Sequence, residues 1–173
     1  MTAASAKVRR YLDNAATSWP KPAEVHAAWE RAAREVGAAA GRGGYASAVE
    51  ASAIRDRGRR AVARLIGADP ARVALPAGGT LALNIAIHGL VQAGDHVVAT
   101  AADHNATLRP LHRLARRGAI GLAIVPCDGL GRVDPSEVAA VWTPATRLVV
   151  CTHASNVTGA MQNAAAIAAV AHD

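Results

Sequence analysis

From Arg72 onward, short continuous apolar runs alternate with helical stretches, and this alternation restricts the fold more than any other feature of the chain. The runs are residues 72–75, 96–100, 120–126 and 147–152. Helical patterns occupy residues 80–91, 105–117, 134–141 and 164–171. In the third of these helices Asp134 suits the N-cap and Pro135 the first turn. Strands that are apolar throughout need cover on both faces, and parallel neighbours need a crossover between them. The pattern predicts an α/β fold, with a mainly parallel, doubly wound sheet.

The preceding segment reads differently. Tyr11-Leu12 is expected to be extended, and Trp19-Pro20-Lys21-Pro22 forms a rigid turn because each proline restricts itself and its neighbour. A helix is expected over residues 23–36, with Val25, Ala28, Trp29, Ala32, Ala33 and Val36 on one face. Gly37 and Gly41-Arg42-Gly43-Gly44 end it in a flexible loop. A second helix is expected over residues 48–66, stopped by Gly67.

Composition narrows the function classes. The chain is 51% hydrophobic and 18% charged, which excludes a disordered polypeptide. Only 3% is aromatic, and alanine makes up about a quarter of the residues, well above ordinary usage. The core must come from Ala, Val, Leu and Ile, each burying little area, so stability should depend on extensive packing or on a partner subunit. The net charge of +6 is carried mainly by arginines, at 55, 57, 59, 60 and 64 and at 109, 113, 116 and 117. Spacings of four place pairs of them on one helical face. No aromatic residues interleave them, which argues for a solvated or anion-facing surface and against nucleic acid. The first ten residues lack a secretory pattern, and no apolar stretch approaches membrane length, so no membrane partner is expected. Cys127 and Cys151, each at the end of a strand-like run, are expected to be buried, inert thiols in a reducing cytoplasm. The seven histidines show no metal-ligand spacing, so no metal is expected.

Three motifs fall at strand exits, where open α/β sheets bind ligands. Gly78-Gly79-Thr80 opens a helix, offering free N–H groups and the positive end of a dipole to an anion, although an ordinary strand–helix turn would read the same. It has neither the lysine of a P-loop nor a GxGxxG pattern. Asn84, one turn further, suits a role in steadying the loop. His104, in Asp103-His104-Asn105, offers an imidazole, the side chain suited to passing protons, and a satisfied surface histidine would also fit. Asn156, in Ser155-Asn156-Val157-Thr158-Gly159, offers an amide donor and would equally suit an Asx-turn.

With Tyr11-Leu12-Asp13-Asn14-Ala15-Ala16-Thr17, Pro20-Lys21-Pro22 and Gly41-Arg42-Gly43-Gly44-Tyr45, these motifs resemble the class V aminotransferase-like enzymes that use pyridoxal 5'-phosphate (PLP), and among them the cysteine desulfurases. The likeness extends from about Tyr11 to the last residue. It implies the large domain of the fold type I PLP-dependent transferases, incomplete at the carboxyl end. Residues 1–45 would contribute to the small domain and dimer interface, and residues 46–173 would begin the PLP-binding domain. The resemblance makes His104 a catalytic residue on the face of the cofactor ring. It makes Gly79, Thr80, His104 and Asn156 cofactor-binding, and Asn14, Ala16 and Asn156 substrate-binding. The implied reaction converts L-cysteine to L-alanine and leaves a persulfide, in a homodimer that passes sulfur to an acceptor protein, as in iron–sulfur cluster assembly.

The chain departs from the family pattern in places. Ala77 and Leu81 stand where Ser and Glu types are common, and Asp103 where Glu is usual. The aspartate, glutamine, His-Lys pair and mobile-loop cysteine used downstream in relatives are not among these residues. Lys7 and Lys21 do not match the Schiff-base position, and neither cysteine matches the nucleophile. The chain is therefore expected to be an amino-terminal portion, poorly soluble and inactive by itself. Other class V activities (aminotransferase, selenocysteine lyase, epimerase) and a catalytically silent α/β binding domain are the alternatives.

Overall fold

A computed structural model describes residues 10–172. The chain divides into two compact units, with the boundary between Leu75 and Pro76.

The first unit is helical. Tyr11 and Trp19 meet edge to face, with ring centroids 5.7 Å apart. Helix α1 (Ala23–Arg31) continues into a wider turn over Ala32–Val36, where the Gly37 N–H donates five residues back to the Ala32 carbonyl. Helix α2 (Ala46–Ile66) ends at Gly67, as its sequence anticipated. In α2 only Ala48 and Ala63 are buried, and Val49, Val62, Leu65 and Ile66 stay exposed.

The expected strand over residues 72–75 is absent from the described residues. A short 3-10 turn (Pro70–Arg72) leads instead into extended but unpaired backbone. Pro70 and Pro76 bracket the segment, and a proline has no N–H to give to a ladder.

The second unit carries the sheet. Its elements run α3 (Gly79–Leu90), β1 (His96–Thr100), α4 (Asn105–Arg116), β2 (Gly121–Val125), α5 (Pro135–Ala140), β3 (Thr146–Val150) and α6 (Ala164–His172). The three strands are parallel in the order β2-β1-β3. Central β1 is the strand whose Val97, Val98, Ala99 and Thr100 are fully buried. Alternation along it divides the core. Val97 and Ala99 pack with Ile87 of α3 and Leu111 of α4, whereas Val98 packs with Val125, Val138 of α5 and Ile167 of α6. Helices thus cover both faces, and the winding is double. Asp134 caps α5, its carboxylate accepting from the Ser136 N–H at 2.9 Å. That bond first, and a second from the Ser136 hydroxyl at 2.8 Å, hold the Asp134 carboxyl below its ordinary value.

The buried thiols anticipated at both cysteines are half right. Cys151 is partly buried against the α5–α6 side of the sheet, but Cys127 is exposed. It lies two residues past the last paired residue of β2, where the chain has left the ladder.

Candidate functional site

The carboxyl end of β1 is fixed by one carboxylate. Asp103 is 7% exposed and accepts three hydrogen bonds: from the Thr100 N–H at 2.8 Å, from the Thr100 hydroxyl at 2.8 Å, and from the Thr152 hydroxyl at 2.7 Å. Thr100 ends β1, and Thr152 follows β3, so Asp103 ties two strand exits together. A buried charge is tolerated only with such partners. The shorter acid reaches all three donors without difficulty.

His104 follows as the N-cap of α4. Its Nδ1 accepts the Ala106 N–H at 3.0 Å. An accepting nitrogen carries no proton, so the neutral ring holds its hydrogen on Nε2. The cap therefore sets both the tautomer and the orientation of the ring. His104 lines two cavities. One, of about 350 Å³, is shared with Asp103, Cys127, Ser155, Asn156 and Thr158. The other, of about 320 Å³, is shared with Thr80, Asn84, Arg109 and Arg113.

At the start of α3 no side chain caps the helix. Gly78 occupies φ 102°, where a side chain is strained, and a Cβ at Gly78 or Gly79 would point into open space. The turn presents bare backbone to that space. Asn84 donates to the Thr80 carbonyl at 2.8 Å, the steadying role its position suggested. Gly79 precedes Thr80 in the first turn but lines neither cavity.

Asn156 sits in a loop closed by its neighbour. The Ser155 hydroxyl accepts from the Val157 and Thr158 N–H groups, both at 3.2 Å. Ala154 and Met161 form an antiparallel bridge below. The Asx-turn reading of Asn156 is thus displaced by a serine turn, and no described residue hydrogen-bonds the Asn156 amide.

Sequence reasoning overlooked one positioning residue. Gln162 is 3% exposed; its Oε1 accepts from the Val133 N–H at 2.8 Å, and its Nε2 donates to the Gly131 carbonyl at 2.7 Å. It fixes the loop after β2, and Cys127 and Gly131 of that loop line the cavity of Asn156. The signal was faint: a polar residue just before an apolar helix.

The structure brings together Thr80, His104 and Asn156, with His104 common to both cavities. Asn14 and Ala16 belong to the first unit. There the Asn14 Oδ1 accepts from the Trp19 N–H at 3.2 Å, and the Ala16 N–H donates to the Asp13 carbonyl at 3.2 Å. Tyr11 closes the same loop by donating to the Thr17 carbonyl at 2.8 Å. Lys21 donates from Nζ to the Thr17 hydroxyl at 3.0 Å and the Ser18 carbonyl at 2.9 Å, the bonds of a loop brace.

The residues of the second unit fit a PLP-type ligand. They offer an uncapped, side-chain-free helix start for a phosphate, an oriented imidazole beside it, and an unengaged amide in the cavity on its other side.

Comparison with known proteins agrees. The aminotransferase class-V family matches residues 10–173. A probable cysteine desulfurase of Methanothermobacter thermautotrophicus is 34% identical over 164 residues, covering 94% of this chain and 40% of that protein. A probable cysteine desulfurase of Aeropyrum pernix is 37% identical over 154 residues, covering 86% of this chain and 37% of that protein. The apo structure of the cysteine desulfurase from Thermococcus onnurineus NA1 superimposes with a TM-score of 0.82 at 26% identity, over 92% of this chain and 40% of that one. The chain thus spans about 40% of the length of such relatives. Its fold is that of the PLP-dependent fold type I enzymes, over the part of them that it matches. The chain belongs to the class V aminotransferase family, whose members are PLP-dependent.

Proposed function

We propose that these residues form the cofactor-cradling part of a PLP-dependent cysteine desulfurase. One observation supports this most: His104, which follows β1 and is oriented by its own helix cap, lines both a cavity containing Thr80 and a cavity containing Asn156, which follows β3. Gly79 and Thr80 would hold the phosphate, His104 the face of the ring, and Asn156 a ring oxygen or the substrate. Asn14 and Ala16 would contribute to binding the amino-acid substrate. When bound, PLP supplies an electron-withdrawing ring that labilises bonds at the α-carbon of an amino acid.

The chain's own groups then have defined tasks. The Nδ1 lone pair of His104 is committed to the Ala106 N–H, so Nε2 is the position at which the ring donates or passes a proton. Asp103 holds the strand exits so that His104 stays in place. The Asn156 amide is unspent and can donate to an anionic oxygen. The substrate proposed for the whole protein is L-cysteine, released as L-alanine with its sulfur passed to an acceptor, in a cytoplasmic homodimer serving iron–sulfur cluster assembly. The similarity to named desulfurases supports that choice within the family.

The test separates the cap from the ring. Asparagine also caps helices well, so His104→Asn should unfold at the same midpoint as the native chain and bind PLP about tenfold more weakly, roughly 1.4 kcal/mol. His104→Ala should lose affinity and, with its cap, about 1 kcal/mol of stability. Equilibrium dialysis and thermal unfolding read both. PLP binding by His104→Asn equal to that of the native chain would overturn the assignment. Incubation of the whole protein with L-cysteine should yield L-alanine; transamination without alanine would point to another class V reaction.

A further inference from the structure

The cavity of about 320 Å³ on the Thr80 side of His104 has a feature that the proposed roles leave unused. Two arginines of α4, Arg109 and Arg113, line it together with Thr80 and Asn84 of α3. They stand one helical turn apart, on the same face of α4.

Neither arginine forms an ion pair among the described residues. The described carboxylates of this unit are engaged or placed elsewhere. Asp95 accepts the Gln92 N–H, Asp103 is buried under its three donors, Asp128 pairs with Arg132, and Asp134 caps α5. Glu137 lines a different cavity, beyond β2. The charged groups facing this space are therefore all cationic. The neutral groups add to the bias: the Thr80 hydroxyl can donate, the His104 Nδ1 lone pair is already spent, and the Asn84 amide nitrogen holds the Thr80 carbonyl. A cleft with cationic walls and no balancing carboxylate concentrates anions.

We infer that Arg109 and Arg113 form, with Thr80, a binding site for a phosphate-type oxyanion in the groove between α3 and α4. Two planar guanidinium groups match a tetrahedral dianion better than a single carboxylate, because each can offer a pair of parallel N–H donors. Two adjacent arginines with no aromatic platform suit one small anion rather than a nucleic-acid strand. The anion is either the phosphate of PLP, which deepens the reading above and rests on it, or a separate phosphate beside the cofactor.

The experiment is calorimetric titration of the chain with inorganic phosphate, at low and moderate salt. Native chain should bind, and more weakly as salt rises. Arg109→Gln with Arg113→Gln should raise the phosphate Kd at least about tenfold. Both residues are exposed, so the helical circular dichroism should be unchanged. Arg109→Lys with Arg113→Lys, which keeps the charge, should recover part of the loss. No phosphate binding by native chain, or an unchanged Kd in the glutamine variant, overturns the inference.

Two further titrations identify the source. If PLP displaces phosphate and pyridoxal does not, the site takes the cofactor's own phosphate. If PLP and phosphate bind together, the groove holds a second anion. PLP binding that depends on His104 but not on the arginines would leave the cofactor reading standing and remove this one. Arginine-dependent phosphate binding without any PLP binding would do the reverse.

Discussion

At Asp103 and His104 neighbouring side chains divide structure from chemistry. Asp103 spends its carboxylate on three donors and is nearly buried, while His104 spends one nitrogen on the backbone and leaves the other without a partner among the described residues. The same carboxylate also acts on Cys151. Burial, first, and the nearby Asp103 charge, second, raise the Cys151 thiol above its ordinary value of 9.0. A pKa raised by folding contributes stability that is fully present below the unfolded thiol's pKa and is lost as pH rises through the folded one. Stability of the chain should therefore hold through neutral pH and decline on the alkaline side of the ordinary thiol range. Exposed Cys127 should be alkylated by iodoacetamide well before Cys151, and the difference should vanish in denaturant. Equal rates in the folded chain, measured by peptide mass spectrometry, would contradict the burial of Cys151.

At the scale of elements, the loops after the strands are held by buried or capping polar groups rather than by length. Gln162 bonds both Val133 and Gly131, and at Gly131 the backbone turns with φ 77° so closely that a Cβ would lie 3.1 Å from the Thr158 hydroxyl. Gly131 thus also keeps the β2 loop and the Asn156 loop in contact. Gln162→Leu would fill the same space and leave a buried N–H and a carbonyl without partners, a loss of about 2–4 kcal/mol. Denaturant unfolding should show it as a lower midpoint with an unchanged slope. A variant as stable as the native chain would show that water or another donor replaces the glutamine. Helix α5 illustrates the legible side of the sequence, since Asp134 before a helical run marked its start, whereas the cap that His104 gives α4 is seen only in the structure.

For the whole molecule the open edges matter most. β1 is paired on both sides, but β2 and β3 each have only β1 as a neighbour among the described strands. Beside β3 an apolar groove of about 400 Å³ runs between Trp142, Leu148 and Ile167. An unpaired edge with apolar surface beside it is a template for association. The 173-residue chain alone should self-associate with rising concentration, seen by sedimentation velocity. Ala168→Lys, which places a charge in this groove from an exposed position, should test whether the groove is the contact by shifting the chain toward monomer. A monodisperse native chain at high concentration would remove this expectation. In the first unit, Val25, Trp29 and Leu65 are likewise exposed.

Periodicity and caps alone determined the parallel, doubly wound architecture and the helix positions to within a few residues. These depend on local physics: apolar runs that need cover on both faces, and end groups that need partners. The strand expected at residues 72–75 failed because pairing depends on a neighbour and not on the segment's own composition. Only the tertiary structure decided that Asp103 reaches Thr152, that Gln162 reaches back to Gly131, that Cys127 is exposed, and that Arg109 and Arg113 face Thr80 across a groove. Each of these depends on side chains brought together by folding from separate elements, or on where the chain leaves the sheet, and neither is written in the spacing of residues along the chain.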